Sequence, residues 1–235
     1  MDQVTAPLAL VRLLQLASPA LPVGAYTYSQ GLEWAVECGW ITDEASAGAW
    51  IGDLLQHTLA TYEAPLIAAL MQCWAAPETA AAQAEIHRLN EDYLASREGA
   101  ELRAETVHMG YSLSRLLRDL REPALQGLID RLARLPEVAF PAAWSGLAVA
   151  WQIGPEAALQ AYLWAWAENQ VMAALKAVPL GQAAGQRLLV RLAAQIPALV
   201  TQALHRPESD WHNLAPTFAL ACTGHETQYS RLFRS

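Results

Sequence analysis

Apolar residues recur at three- and four-residue spacing along nearly the whole chain, and runs of β-branched residues are missing. A chain with that period can bury its apolar faces as helices and has little to offer a sheet. Proline and glycine cut the pattern into about ten helical pieces. The predicted fold class is therefore all-α, a single-domain bundle of about ten helices. Helices are expected from about Pro7 to Ala17, Ser29 to Cys38, Asp43 to Ala60, Pro65 to Trp74, Glu78 to Ala95, Glu98 to Leu120, Pro123 to Leu135, Phe140 to Gln152 and Pro155 to Lys176. Pro7 suits a first turn, Ser18-Pro19 stops the first helix, and Gly39 fits a C′ position. The helix ending at Lys176 is apolar nearly all round, which places it at the bundle centre. A later helix carries Leu188, Leu189, Leu192, Ile196, Leu199 and Val200 on one face and should kink at Pro197. A short helix from Pro216 to Cys222 precedes a polar, aromatic tail. Residues 1–223 form the bundle in this reading and residues 224–235 the tail. On the polar sixth helix, Arg97 with Glu101 and Arg115 with Asp119 are spaced to pair on an exposed face.

Composition narrows the class of function. The 235-residue chain is 54% apolar but only 16% charged, against roughly a quarter in an average protein. Such a chain either buries much of itself or leaves apolar surface for a partner. Its net charge of −8 lacks the basic footprint of nucleic-acid binding. Three separated cysteines, Cys38, Cys73 and Cys222, argue against a disulfide framework and for a reducing compartment. Met1, Asp2 and Gln3 form no basic leader, and no uncharged apolar run reaches spanning length, so a cytoplasmic location is expected.

Catalytic signatures are missing. The glycines never form a phosphate-binding loop, a dinucleotide fingerprint or a nucleophile elbow, and His225-Glu226 is not followed by a second histidine at zinc spacing. The expectation is no enzyme, no catalytic residue and no cofactor. The competing enzymatic reading would use Glu33 or Glu101 as a base. Cys222 and His225 form a C-x-x-H pair, but no second pair accompanies them. They read as a small buried cysteine and a hydrogen-bonding histidine, and no metal site is assigned.

Three segments carry more information. Leu16 to Glu33 holds two prolines, two glycines and two tyrosines inside a helical protein, the composition of a specified loop. It is either a rigid connector or a presented binding loop. In the second, Lys176 to Gln186, a lysine closes a buried helix where a cation suits the helix dipole. Gly181 and Gly185, four apart, allow close helix approach, within the chain or in a dimer. The third, His225 to Ser235, mixes Tyr229, Leu232 and Phe233 with Arg231 and Arg234. A terminus so rich in interface residue types is expected to order on a partner.

These segments, together with Ser96-Arg-Glu and Glu101-Leu-Arg103, occur in the order found in the UreF family of urease accessory proteins, which the chain resembles along nearly its whole length. The resemblance implies an all-α, dimerising, non-enzymatic assembly protein. It implies binding to UreD (also called UreH), recruitment of the GTPase UreG, and docking on apo-urease for GTP-coupled nickel delivery. Nickel would be handled by the complex and GTP by UreG. The same resemblance assigns Glu33, Glu101 and Lys176 to the UreG side. It assigns Gln228, Tyr229, Arg231, Leu232, Phe233 and Arg234 to the UreD side. Two departures stand out: Gly224 where the family often has arginine, and Cys222 where it often has serine.

Overall fold

The computed structural model describes residues 7–235, and Met1 to Gln3 lie outside them. Twelve α-helices and no strand occur among the described residues. They are α1 (Pro7–Ala17), α2 (Leu32–Glu37), α3 (Glu44–Leu54), α4 (Ala64–Ala75), α5 (Ala80–Ala95) and α6 (Ala100–Leu120), then α7 (Gln126–Leu132), α8 (Phe140–Ala150), α9 (Pro155–Ala177), α10 (Gln182–Ala193), α11 (Ile196–His205) and α12 (Pro216–Glu226). The expected all-α bundle is what forms.

Helix α9 is the axis of the bundle, packing against α1, α2, α3, α4, α10 and α11. Its all-round apolarity requires such company. Helix α8 is more deeply sunk: Pro141 to Ala148 are all buried where it lies between α4 and α6. The α6 contact needs a bare backbone at Gly110, where a Cβ would stand 2.0 Å from the Val138 carbonyl oxygen. Local chemistry sets several ends. Asp43 caps α3 in a reciprocal box with Ser46, and Thr79 caps α5. Gly39, at φ 72°, closes α2, with the Gly39 and Trp40 amides donating back to Val36 and Ala35.

Four departures from the sequence expectation lie outside α12 and the tail. First, α2 starts at Leu32 and not at Ser29, because Gln30 (φ 52°) and Gly31 (φ 75°) are left-handed. Second, Pro65 does not separate two helices. A π-helical stretch, Leu55–Glu63, joins α3 to α4 in one run. Proline at position 65 cannot engage the carbonyl four residues back, at Thr61. That carbonyl accepts instead from the His212 amide at 3.3 Å, which ties the α11–α12 connector to the run. Third, Pro197 does not kink a single helix. The chain breaks at Ala194–Gln195, and Pro197 sits in the first turn of α11. The whole stretch Gln182–His205 is long and apolar enough to cross a membrane, but it carries Arg187 and Arg191, which pair with Glu44 of α3 at 2.5 and 3.0 Å. Fourth, Arg97 and Glu101 do not pair with each other: Arg97 lies 3.6 Å from Glu63, and Glu101 turns to His225 and Arg231. The Arg115–Asp119 pair forms as expected, 3.8 Å apart on the surface. Gly185 lets α10 approach α9 within the chain, its absent Cβ leaving room for Leu175.

Candidate functional site

The site begins with the two left-handed residues before α2. They turn the chain so that Glu33 occupies the first turn of α2 and is buried. Gly31 is needed on two counts: its positive φ, and the approach of α12, whose Cys222 amide nitrogen would lie 2.9 Å from a Cβ there. Gly224 accommodates α2 in return. A Cβ on it would fall 2.1 Å from the Trp34 ring, so the glycine at this position belongs with that tryptophan. Helix α12 runs on past the expected end at Cys222 as far as Glu226, and so carries His225 into the space between α2 and α6.

Four ionisable side chains meet there. Glu33 accepts the backbone amides of Leu232 at 2.6 Å and Phe233 at 3.0 Å. His225, with no exposed surface, stands between two carboxylates: Nε2 is 3.4 Å from Glu33 and Nδ1 is 2.6 Å from Glu101. The other Glu101 oxygen accepts from the Arg231 guanidinium at 2.5 Å. Both His225 nitrogens thus face carboxylates on different helices, leaving neither for a metal shared with Cys222. Burial drives the Cys222 thiol pKa well up, which keeps it protonated. Among the described residues no group of three or more His, Cys, Asp or Glu side chains is arranged to hold a metal ion.

Beyond this cluster the tail runs beside residues 27–30. The Arg234 amide donates to Thr27 O at 2.8 Å, and the Ser235 carbonyl accepts from the amides of Ser29 and Gln30 at 2.6 and 3.0 Å. The Ser29 hydroxyl donates to the same carbonyl. The Ser235 hydroxyl donates to Glu105, which also accepts from Gln30 Nε2 at 2.7 Å. Phe233 is buried, with the exposed Lys176 ammonium 5.3 Å from its ring centroid. Tyr229 and Leu232 point outward and are fully and 71% exposed, and Arg234 is exposed as well. Gln228 is half-buried, its amide donating to Ser230 O.

A cavity of about 400 Å³ opens beside this arrangement, between the 16–26 loop, α6 and α9. Apolar walls from Leu16, Leu102, Met109, Phe140, Trp144 and Trp166 surround a polar floor. On that floor Tyr162 donates to Glu63, and Arg97 stacks 4.3 Å over the Tyr93 ring. Burial pushes the Glu105 carboxyl up to about 7, with its hydrogen bonds from Gln30 and Ser235 opposing the rise. These polar groups satisfy one another.

The sequence reading separated Glu33, Glu101 and Lys176 from the tail. The structure brings the two sets into one cluster. The tail, expected to order on a partner, is ordered on the body of its own chain. Ser29, Gln30 and Glu105 were not singled out individually, though Glu101 and Glu105, four apart on one helix face, offered a signal.

Fold and site together define an all-helical protein that fastens its own C-terminal segment against a cluster of ionisable side chains from α2, α6 and α12. The comparisons make this specific. The UreF family model matches residues 41–193. The urease accessory protein UreF of Dechloromonas aromatica is 64% identical over 97% of this chain and 98% of its own length. That of Azoarcus sp. is 63% identical over 97% and 96%. The chain also matches about half of a Bordetella bronchiseptica protein named bifunctional urease accessory protein UreEF, covering 52% of it at 46% identity. The chain belongs to the UreF family of urease accessory proteins.

Proposed function

We propose that this chain is a non-catalytic bridge in urease maturation, holding UreD (UreH) and the GTPase UreG together on apo-urease while nickel is delivered. Nickel is the cargo of the complex, GTP is the substrate of UreG, and the chain itself uses no cofactor. It works in the cytoplasm as a homodimer within the complex. The observation carrying this reading is the convergence of Glu33, Glu101 and Lys176 with the clamped tail on one face. Tyr229 and Leu232, outward-facing and apolar, are the anchors offered to UreD. The exposed Lys176 at the edge of the same face is offered to UreG.

Co-expression tests the assignment. Deleting residues 224–235 is expected to abolish co-purification with UreD while the helical circular-dichroism signal stays. Lys176→Ala is expected to keep UreD and lose UreG. Undiminished UreD recovery with the tail removed would overturn the docking role of the tail, and normal UreG recovery with Lys176→Ala would overturn that of the lysine.

A further inference from the structure

Protein interiors keep few voids larger than a water molecule, because side chains swing inward and fill them. The cavity between the 16–26 loop, α6 and α9 nevertheless holds about 400 Å³ open. An apolar cavity of roughly 150 Å³ is already enough to take up benzene. Its walls are braced against collapse. The Trp166 indole donates to Gln30 at 2.8 Å, and Gln30 is fixed in turn on Glu105. Trp144 stands edge-on to the Tyr162 ring with centroids 5.0 Å apart, and Phe140 stacks on the same ring at 6.0 Å. Tyr162 is anchored through its hydroxyl on Glu63. The aromatic side chains that could fall inward are each tied elsewhere, so the space is a preformed site.

The lining sets the chemistry of an occupant. Leu16, Leu102, Met109 and Trp144 are buried apolar walls, so the ligand must be mostly apolar. Aromatic faces and edges on three sides suit a flat ring. The charges on the floor already cancel, with Arg97 3.6 Å from Glu63. Glu105, accepting from neutral donors and pushed up to about 7 by burial, is protonated at mildly acidic pH. Of the other charged lining residues, Glu168 and Lys176 are opposite in sign, and Lys176 is exposed. A charged ligand would therefore enter dry surroundings with no partner left for it.

We propose that this cavity is a binding site for a neutral, flat, mostly apolar small molecule of about two fused rings. A small molecule fits better than a partner's side chain, because the apolar walls are buried behind the 16–26 loop and not presented at the surface. That loop is itself one wall, so an occupant ties it to α6 and α9. The site is independent of the bridging role.

Titrating the full chain with 2-naphthol at about pH 6, followed through the carbon-13 methyl signal of Met109, tests this. Saturable shifts with a dissociation constant below about 1 mM are expected. The same rings bearing a carboxylate, 2-naphthoate, should bind at least about tenfold more weakly. Ala165→Phe places a ring in the space from α9 and should abolish 2-naphthol binding. Should that variant fail to fold, intermolecular Overhauser effects in the wild type give the answer, linking the probe to the Met109 methyl and the Trp166 indole. No saturable shift, equal affinity for 2-naphthoate, unchanged affinity in a folded Ala165→Phe, or a probe bound away from Met109 and Trp166 would each overturn the proposal. So would exclusion of the probe from the complex with UreD, which would give the space to a partner's side chain. Co-purification with UreD and UreG bears on the bridging role alone.

Discussion

Replacing Glu105 with glutamine should change how the stability of this protein depends on pH, in a direction fixed by the burial of that side chain. Glu105 is buried on α6 and accepts two neutral hydrogen bonds, from Gln30 at 2.7 Å and from Ser235 at 3.0 Å. Burial raises its carboxyl from the ordinary 4.5 to about 7. The unfolded chain releases this proton near 4.5, whereas the folded chain keeps it until about 7. Between those values the unfolded state binds fewer protons, so stability falls as pH rises. Each tenfold step in proton affinity is worth about 1.4 kcal/mol, so the loss is on the order of 3 kcal/mol, complete above about pH 7. Glutamine stays neutral and can keep both contacts, accepting from Gln30 and donating to the Ser235 hydroxyl. Urea unfolding of both proteins at about pH 5 and pH 8 is the assay. Relative to wild type, Glu105→Gln should gain roughly 2–3 kcal/mol on going from the lower pH to the higher. Parallel profiles would mean that Glu105 ionises normally in the folded chain, and would refute the argument from burial.

Two further outcomes follow from the packing. Gly110→Ala drives a Cβ to within 2.0 Å of the Val138 carbonyl oxygen and should cost about 3 kcal/mol or more by urea unfolding, since backbone on both sides must move. Glu33→Gln removes the charge that holds the Leu232 and Phe233 amides, in contacts worth roughly 1.5–3 kcal/mol each. The freed tail can hydrate, so amide exchange at those two residues should accelerate about a hundredfold while the thermal midpoint of the bundle moves by less than about 3 °C.

The bundle was readable because helix period, proline stops and all-round apolarity agree, as the central place of α9 shows. What escaped reading depended on tertiary partners. The i,i+4 spacing of Arg97 and Glu101 is real, but Glu63 in the π stretch and His225 on α12 compete for them in a drier setting and win. Nothing in the sequence marks Gln30 as left-handed, so the helical pattern extends to Ser29, three residues before α2 begins. The π stretch keeps helical periodicity and shows only where the freed Thr61 carbonyl finds the His212 amide. For the site, the family resemblance supplied Glu33, Glu101, Lys176 and the tail residues. It gave no distance between the sets, and closing that gap takes the turn at Gln30–Gly31 and the length of α12. The Glu101–Glu105 spacing puts Glu105 on the right helix face, but a buried carboxylate bonded to neutral donors leaves no charge pairing in the sequence to mark its role.

Glu33 grips amide hydrogens at positions 232 and 233, not their side chains. Every amino acid except proline offers the same handle, so the grip does not depend on what residue 232 carries. The outward side chain there can therefore be exchanged without loosening the anchorage. Such an arrangement separates what the tail displays from what holds it in place.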